Sequence, residues 1–143
     1  MSKSIQFTTS VEINANVEKI WNLFMDTSKY SEWNPFIKRV YGEIAPEKTI
    51  LEFAYFYNHL YLPILMKIIE FENKKKITWV GNFPGFSDHH VYEFQEINNS
   101  KTVFSHAATF SGFFAISSKK HIETDVKRVH EEMNLALKKR AEN

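Results

Sequence analysis

The first residues of the chain alternate between apolar and polar side chains, and the pattern then changes to a helical period. Residues 5–13 place every second side chain on one face, which predicts a half-buried strand with Phe7, Thr9, Val11 and Ile13 inside. Apolar residues then recur at i, i+3, i+4 and i+7, which predicts an amphipathic helix on Val17, Ile20, Trp21 and Phe24. A second helical turn is predicted over 28–33, and Pro35 ends it because proline disfavours helical geometry in the preceding residue.

Strand patterns separated by short connections fill the middle of the chain. Six further strands are predicted, at 36–44, 48–58, 61–71, 75–82, 87–96 and 101–111. Connections this short favour antiparallel hairpins over crossovers.

Charged and polar residues indicate which face of each strand meets water. If Glu52 is exposed, the alternation places three side chains inside: Leu51, Phe53 and Tyr55. If Glu93 and Gln95 are exposed, the inward residues of the next-to-last strand are His90, Tyr92 and Phe94. In the last strand, one face carries Phe104, His106, Ala108 and Phe110.

The C-terminal stretch 117–140 is predicted to be one long helix. Its apolar stripe consists of Ile122, Val126, Val129, Met133 and Ala136, with Leu137 beside it. The element order is therefore β-α-α-β6-α, an α+β fold in which one curved antiparallel sheet buries its face on the long helix. The length of 143 residues predicts a single domain, 1–143.

Composition excludes several classes of function. A net charge of +1 is not the basic balance of a nucleic-acid-binding protein, and the lack of cysteine excludes disulfides, thiolate catalysis and cysteine metal sites. The N-terminal residues lack the apolar core of a secretory signal. The longest apolar run, LYLPILM, is too short to span a bilayer. We therefore expect a soluble, cytoplasmic protein without nucleic-acid partners or stable membrane insertion.

Aromatic residues make up 15% of the chain and concentrate in one set of turns. In an antiparallel meander, alternate turns lie at opposite ends of the sheet. One set is polar (EIAPEK, ENKKK, INNSK), whereas the other is aromatic (YNHLYLP, NFPGF, SGFFA) and lies at the same end as the corner WNPF. The aromatic end is predicted to be rimmed by Trp33, Phe36, Tyr61, Phe83, Phe86, Phe113 and Phe114. These rings could cap the core, surround a pocket mouth, or form a contact surface.

Three stretches resemble a known family. INANVEKIWNLFMDTSKYSEWNPFI (13–37), HAATFSGFFA (106–115) and NLALKKRAE (134–142) are similar to the START-like (SRPBCC) superfamily, specifically to its polyketide cyclase/dehydrase-like bacterial members. The resemblance implies a helix-grip fold, with seven strands around a long C-terminal helix, two short helices and an internal cavity. Members include lipid carriers, hormone-binding proteins and aromatase/cyclases. Within WNPF, Trp33 and Phe36 are predicted to form a packing corner or to contact a ligand.

The sequence contains no H-E-x-x-H, G-x-S-x-G, Walker A or G-x-G-x-x-G motif, and no cofactor or metal is predicted. His89 and His90 are adjacent on a strand and point to opposite faces, so they cannot chelate one ion together. His121 and Asp125, four residues apart on a helix, are expected to form a surface pair. The polar groups predicted inside could be satisfied within the protein, could orient a ligand, or could act as an acid/base pair. The only catalytic candidates are His90, Tyr92 and His106.

The sequence is compatible with three functions. The first is a carrier or sensor of a hydrophobic small molecule or lipid. The second is a cyclase or dehydratase-like enzyme acting on an aromatic or polyketide-type substrate. The third is a protein or membrane interaction module that uses the aromatic rim, which a homodimer could also cover. The predicted ligand-binding residues are Trp33, Phe53, Tyr55, Trp79, Phe86, His90, Tyr92, His106, Phe110, Phe113 and Phe114.

Overall fold

A computed structural model describes residues 3–143 and contains one seven-stranded antiparallel sheet. The strands are β1 Ser4–Ile13, β2 Ile37–Tyr41, β3 Thr49–Tyr57, β4 Leu60–Glu72, β5 Lys76–Phe83, β6 Phe86–Asn98 and β7 Lys101–Ser111. Their order across the sheet is β1-β7-β6-β5-β4-β3-β2, so every neighbouring pair except β1 and β7 is a hairpin. Register shifts in β3 and β4 mark β-bulges, which bend strands and increase the twist of a sheet.

The helices follow the predicted order, with one difference at the C-terminal end. The two short helices after β1 are α1 Val17–Met25 and α2 Tyr30–Trp33, the latter preceded by the 3₁₀ turn Thr27–Lys29. Asn16 caps α1 by accepting the Lys19 N–H at 2.8 Å. The turn after β7, predicted as a loop, is instead helix α3 Phe113–Ser117. The C-terminal helix then consists of α4 Lys119–His121, a π-helical turn Ile122–Val126, and α5 Lys127–Glu142.

The corner WNPF is shaped by the side chain of Asn34. Its Oδ1 accepts the backbone N–H groups of Phe36 and Ile37, both at 2.9 Å, so the amide turns the chain from α2 into β2. Trp33 packs edge-on against Tyr30, with ring centroids 5.3 Å apart, whereas Phe36 enters the interior and is 3% exposed.

The predicted inward orientation was wrong for Leu51 and Phe53 of β3, whereas Tyr55 does pack against the core. Ile50, Glu52 and Ala54 face the interior, and Glu52 is only 1% exposed. Phe53 lies on the outer face, edge-on against Tyr41 with ring centroids 6.0 Å apart. Alternation specifies which residues share a face but not which face is inside. The charge of Glu52 indicates the wrong face, because the fold buries this glutamate.

The main hydrophobic core lies where α1 and α5 pack on the concave face of the sheet. Trp21 packs edge-on against Phe71 and Phe94, with ring centroids 5.7 and 5.0 Å apart. Phe24 lies against Trp79 and Tyr92 of the central strands. A smaller cluster, formed by Ile5, Ala108, Phe110, Ala115, Ile122 and Val126, lies at the other end of the sheet.

Leu137 and Leu135 provide a matched test of helix packing, because they lie two residues apart on α5. Leu137 is fully buried, whereas Leu135 is 58% exposed. We expect Leu137→Ala to lower the free energy of unfolding by about 2–5 kcal/mol, since it leaves a cavity in the core. Leu135→Ala should change it by less than about 0.5 kcal/mol. Urea denaturation measures both values, and similar losses in the two variants would contradict this packing.

Candidate functional site: an apolar cavity and a buried histidine cluster

A cavity of about 450 Å³ lies between the aromatic end of the sheet and the start of the C-terminal helix. Six of its lining residues are phenylalanines: Phe36, Phe56, Phe83, Phe86, Phe110 and Phe114. The other apolar lining residues are Ala54, Leu62, Pro63, Ile64, Pro84, Ile122 and Val126. Within residues 3–143, only Tyr55, Asp88 and Ser118 bring polar side chains to the wall. The cavity is therefore suited to a largely apolar molecule.

Two glycines let the β5–β6 hairpin and α3 meet beside the cavity. Gly85 has a φ of +81°, and a Cβ on it would lie 2.6 Å from the ring of Phe113 and 2.8 Å from that of Phe114. Gly112 has a φ of +96°, and a Cβ there would lie 2.4 Å from the carbonyl oxygen of Gly85. Both positions require glycine, because other residues rarely adopt such angles and a side chain would separate the two segments. The close contact between the hairpin and α3 places Phe114 on the cavity wall.

Tyr55 connects β3 to the π-helical turn at one side of the cavity. Its hydroxyl donates to Asp125 Oδ2 at 2.6 Å and accepts the Asn58 N–H at 3.0 Å. Asp125 also accepts from Arg128 at 2.7 Å, and these two partners lower the pKa of the Asp125 carboxyl. Partial burial and the bond to Asp125 raise the pKa of the Tyr55 hydroxyl, so it remains a neutral donor. The predicted surface pair of His121 and Asp125 is present at 3.7 Å.

Two buried carboxyl groups, Glu52 and Asp88, lie on the concave face of the sheet. Asp88 is 5% exposed, and its Oδ2 lies 3.2 Å from His90 Nε2. Gly81 makes room for this group, because a Cβ there would lie 2.7 Å from Asp88 Oδ1. Burial, followed by the negative charge of Asp88, raises the pKa of Glu52 well above its ordinary value. Within residues 3–143, neither Asp88 Oδ1 nor Glu52 Oε1 has a hydrogen-bond partner.

Three histidines from three elements form a buried cluster: His90 of β6, His106 of β7 and His130 of α5. His90 Nδ1 lies 2.9 Å from His106 Nε2, which extends the contact between Asp88 and His90 into a chain of three side chains. The rings of His106 and His130 are stacked, with centroids 4.2 Å apart and an angle of 8° between their planes. Burial is the largest cause that lowers the pKa of His106 and of His130, which favours neutral imidazoles.

Phe36 lies between the histidine cluster and the cavity. Its ring centroid is 4.1 Å from that of His130, 5.8 Å from that of His90 and 5.9 Å from that of His106, and the same residue lines the cavity. The histidines are at most 1% exposed. A molecule in the cavity would therefore contact Phe36 and Asp88 before it could reach an imidazole.

A family model described as polyketide cyclase / dehydrase and lipid transport matches residues 4–142. The chain belongs to this family. Its seven-stranded sheet around a long helix has the helix-grip arrangement of START-like proteins, which confirms the fold implied by the sequence resemblance. Comparison with curated protein sequences gave no match.

Solved structures agree with this assignment. A START superfamily protein from Mycobacterium smegmatis has a TM-score of 0.78 at 14% identity, covering 96% of this chain and 97% of the other. The ZhuI aromatase/cyclase from Streptomyces sp. R1128 has a TM-score of 0.80 at 12% identity, covering 98% and 94%. The protein XoxI from Bacillus cereus has a TM-score of 0.74 at 16% identity, covering 96% and 95%. Identities this low show the shared fold alone.

Four of the eleven predicted ligand-binding residues lie on the cavity wall of this START-like chain: Tyr55, Phe86, Phe110 and Phe114. Three others, Trp79, Tyr92 and His106, are fully buried in the interior together with His90, and none of these four lines the cavity. Trp33 packs on the main core beside Tyr30, and Phe53 lies on the outer face of the sheet. Phe113 is 67% exposed and lines a shallow surface depression instead. The catalytic candidates thus lie together, but behind the cavity wall.

Sequence reasoning missed the contributions of His130, Asp88 and Glu52. His130 lies one residue after Val129 and three before Met133, so its spacing places it on the apolar stripe of the C-terminal helix. Asp88 precedes His90 by two residues, and alternation alone would have placed it inside. Glu52 offered no such signal, because an isolated glutamate on a strand is usually exposed.

Among the described residues, no helix is long and apolar enough to cross a membrane.

Substitution of Glu52 should show the energetic cost of burying this carboxyl group, because it should change how the free energy of unfolding depends on pH. The raised pKa means that folding favours the protonated acid, so the contribution of Glu52 to stability is fully present below about pH 4.5 and is lost as pH rises towards the folded-state pKa. We expect Glu52→Gln to be more stable than the wild type at pH 8 by about 1–3 kcal/mol, with a smaller difference at pH 4. Urea denaturation at both pH values measures this difference.

Glu96→Gln is the matched control, because Glu96 is an exposed glutamate in the same sheet. Its stability relative to the wild type should be nearly independent of pH. A Glu52→Gln variant that is destabilised at pH 8 would mean that the carboxylate is satisfied in the fold.

Proposed function

We propose that this START-like chain binds a hydrophobic small molecule or lipid in the 450 Å³ cavity. The observation that carries the proposal is the composition of the wall, in which thirteen of the sixteen lining residues are apolar. Ligand pockets in proteins typically measure about 300–1,000 Å³ and combine apolar walls with a few polar groups that orient the ligand. The family description, which includes lipid transport, is consistent with this role.

The charges around the cavity favour a neutral ligand. Among the described residues, no lysine or arginine lines the wall, so an anionic headgroup would have no cation to pair with. Asp88 is on the wall and lies close enough to Glu52 to raise the pKa of that carboxyl. A buried anion without a partner costs several kcal/mol. Asp88 instead offers an acceptor to a hydroxyl group on an otherwise apolar molecule.

Catalysis receives less support from the geometry. A cyclase or dehydratase needs an acid/base group within hydrogen-bond reach of its substrate. The chain of Asp88, His90 and His106 has the right groups, but Phe36 covers the histidines. Of the seven residues predicted to form the rim, the described structure exposes Phe83, Phe113 and Phe114, at 38%, 67% and 56%. Since Phe114 also lines the cavity, this exposure is compatible with a mouth through which a ligand enters.

Filling the cavity should prevent binding. Leu62 lines the cavity, whereas Leu65 on the same strand is 59% exposed and faces away. We expect the neutral dye Nile red to bind the wild type and the Leu65→Trp variant with equal affinity. Leu62→Trp should weaken binding at least about tenfold, equivalent to 1.4 kcal/mol, because the indole occupies the space of the ligand. Fluorescence titration measures the affinities, and equal binding by both variants would place the dye outside the cavity.

Ligand charge can be tested with two molecules of nearly equal shape. At pH 7, 2-naphthol is neutral and 2-naphthoate is an anion. We expect 2-naphthol to bind at least about tenfold more tightly, since the carboxylate meets Asp88 and no wall cation. Asp88→Asn should reduce this preference by removing the repulsion. Isothermal titration calorimetry measures both affinities, and tighter binding of 2-naphthoate by the wild type would refute the charge argument.

A further inference from the structure

The three buried histidines have a second property, which does not depend on the cavity. One nitrogen from each ring lies within 4.8 Å of the other two, although the residues come from β6, β7 and α5. Metal–nitrogen bonds of about 2.0–2.1 Å in a tetrahedral site place ligand nitrogens about 3.3 Å apart. The cluster is therefore close to the dimensions of a three-histidine metal site.

Several nitrogens of the cluster lack partners. In the described part of the chain, His106 Nδ1 and both nitrogens of His130 have no hydrogen-bond partner. Both residues have 0% relative exposure. An unpaired buried polar group costs about 1–3 kcal/mol, so each such group in a native protein calls for an unseen partner such as a water or an ion. His130 is notable because neither of its nitrogens has a hydrogen-bond partner, so no contact within the described chain accounts for an imidazole on the apolar stripe of the helix.

Asp88 orients His90 in the way that carboxylates orient metal-binding histidines. Its Oδ2 lies 3.2 Å from His90 Nε2, so in a neutral ring the proton resides on Nε2. The lone pair of His90 then lies on Nδ1 and points towards His106 Nε2, 2.9 Å away.

We propose that His90, His106 and His130 form a binding site for one divalent transition-metal ion of the zinc class. Imidazole nitrogens suit zinc, copper and nickel, whereas magnesium and calcium require oxygen ligands. Asp88 is the supporting carboxylate, and the fourth coordination position is left for water. The sequence did not predict a metal site, because the adjacent residues His89 and His90 point to opposite faces of a strand and cannot chelate one ion together.

Binding requires two local adjustments. The proton that His106 Nε2 donates to His90 Nδ1 moves to Nδ1 of the His106 ring, which frees the Nε2 lone pair for the ion, and the 2.9 Å separation between the two nitrogens opens by about 0.4 Å. His130 also rotates, because its ring is now parallel to that of His106 and the lone pairs of parallel rings do not converge. Within residues 3–143, no hydrogen bond holds His130 in its present orientation. Phe36, which separates the cluster from the cavity, is the side chain an incoming ion must pass.

The test is a titration of the untagged, EDTA-treated protein with Co²⁺ at pH 7.5. We expect one ion per chain, with the visible absorption of four-coordinate cobalt that Zn²⁺ then abolishes. Added Zn²⁺ should also raise the Tm, since a ligand that binds only the folded state stabilises it. A wild-type protein that shows neither stoichiometric binding nor this spectrum overturns the proposal.

Variants show whether the ion binds to the buried histidine cluster or to histidines on the surface. His130→Phe keeps a ring in the stack but removes both nitrogens, and should lose the cobalt spectrum and the Zn²⁺-dependent rise in Tm. His89→Gln is the matched control, because His89 is exposed and adjacent to His90, and should bind like the wild type. Asp88→Asn should weaken binding about 10–100-fold. If His130→Phe does not fold, His90→Gln replaces it. Unchanged binding by a folded ligand variant, or loss of binding in His89→Gln, also overturns the proposal.

Discussion

One C-terminal helix must cover the concave face of a seven-stranded sheet, and it is too narrow to cover the whole face. At one end, α1 adds Ile20, Trp21 and Phe24, and the apolar face is fully packed there. At the other end, the helix contributes only Ile122 and Val126, with α3 beside them. The helices do not fill the space over this end of the sheet, so a cavity remains there. Its walls are aromatic, because the surface around it is shielded from water and is therefore apolar. The location of the site follows from this shortage of helix surface.

The polar groups of the interior depend on the same enclosure. Burial disfavours the charged form of every ionisable group, so it raises the pKa of Glu52 and lowers those of His106 and His130. Glu52, His106 and His130 are thereby pushed towards their neutral forms in one small volume. The interior can hold hydrogen-bonding groups without the full desolvation cost of ions, and Asp88 belongs both to this polar region and to the cavity wall.

Phe36 connects the two parts of the candidate site. One side of its ring contributes to the cavity wall, and the histidine rings lie within 4.1–5.9 Å of its centroid. Its position follows from the corner before β2, where Asn34 accepts two backbone N–H groups and turns the chain inward. Ligand binding and metal binding, as proposed, would therefore both act on this side chain.

The sequence by itself determined the order of the elements, the inward faces of β6 and β7, and the aromatic character of one end of the sheet. These features depend on local periodicity and turn composition, which residues close in sequence supply. Only the tertiary structure decided that Glu52 faces inward, because alternation does not say which face of a strand is covered. It also brought His130 of α5 against His90 and His106, which lie 40 and 24 residues earlier in the chain. A site built from a helix and two strands depends on how they pack together, and no local pattern encodes that contact.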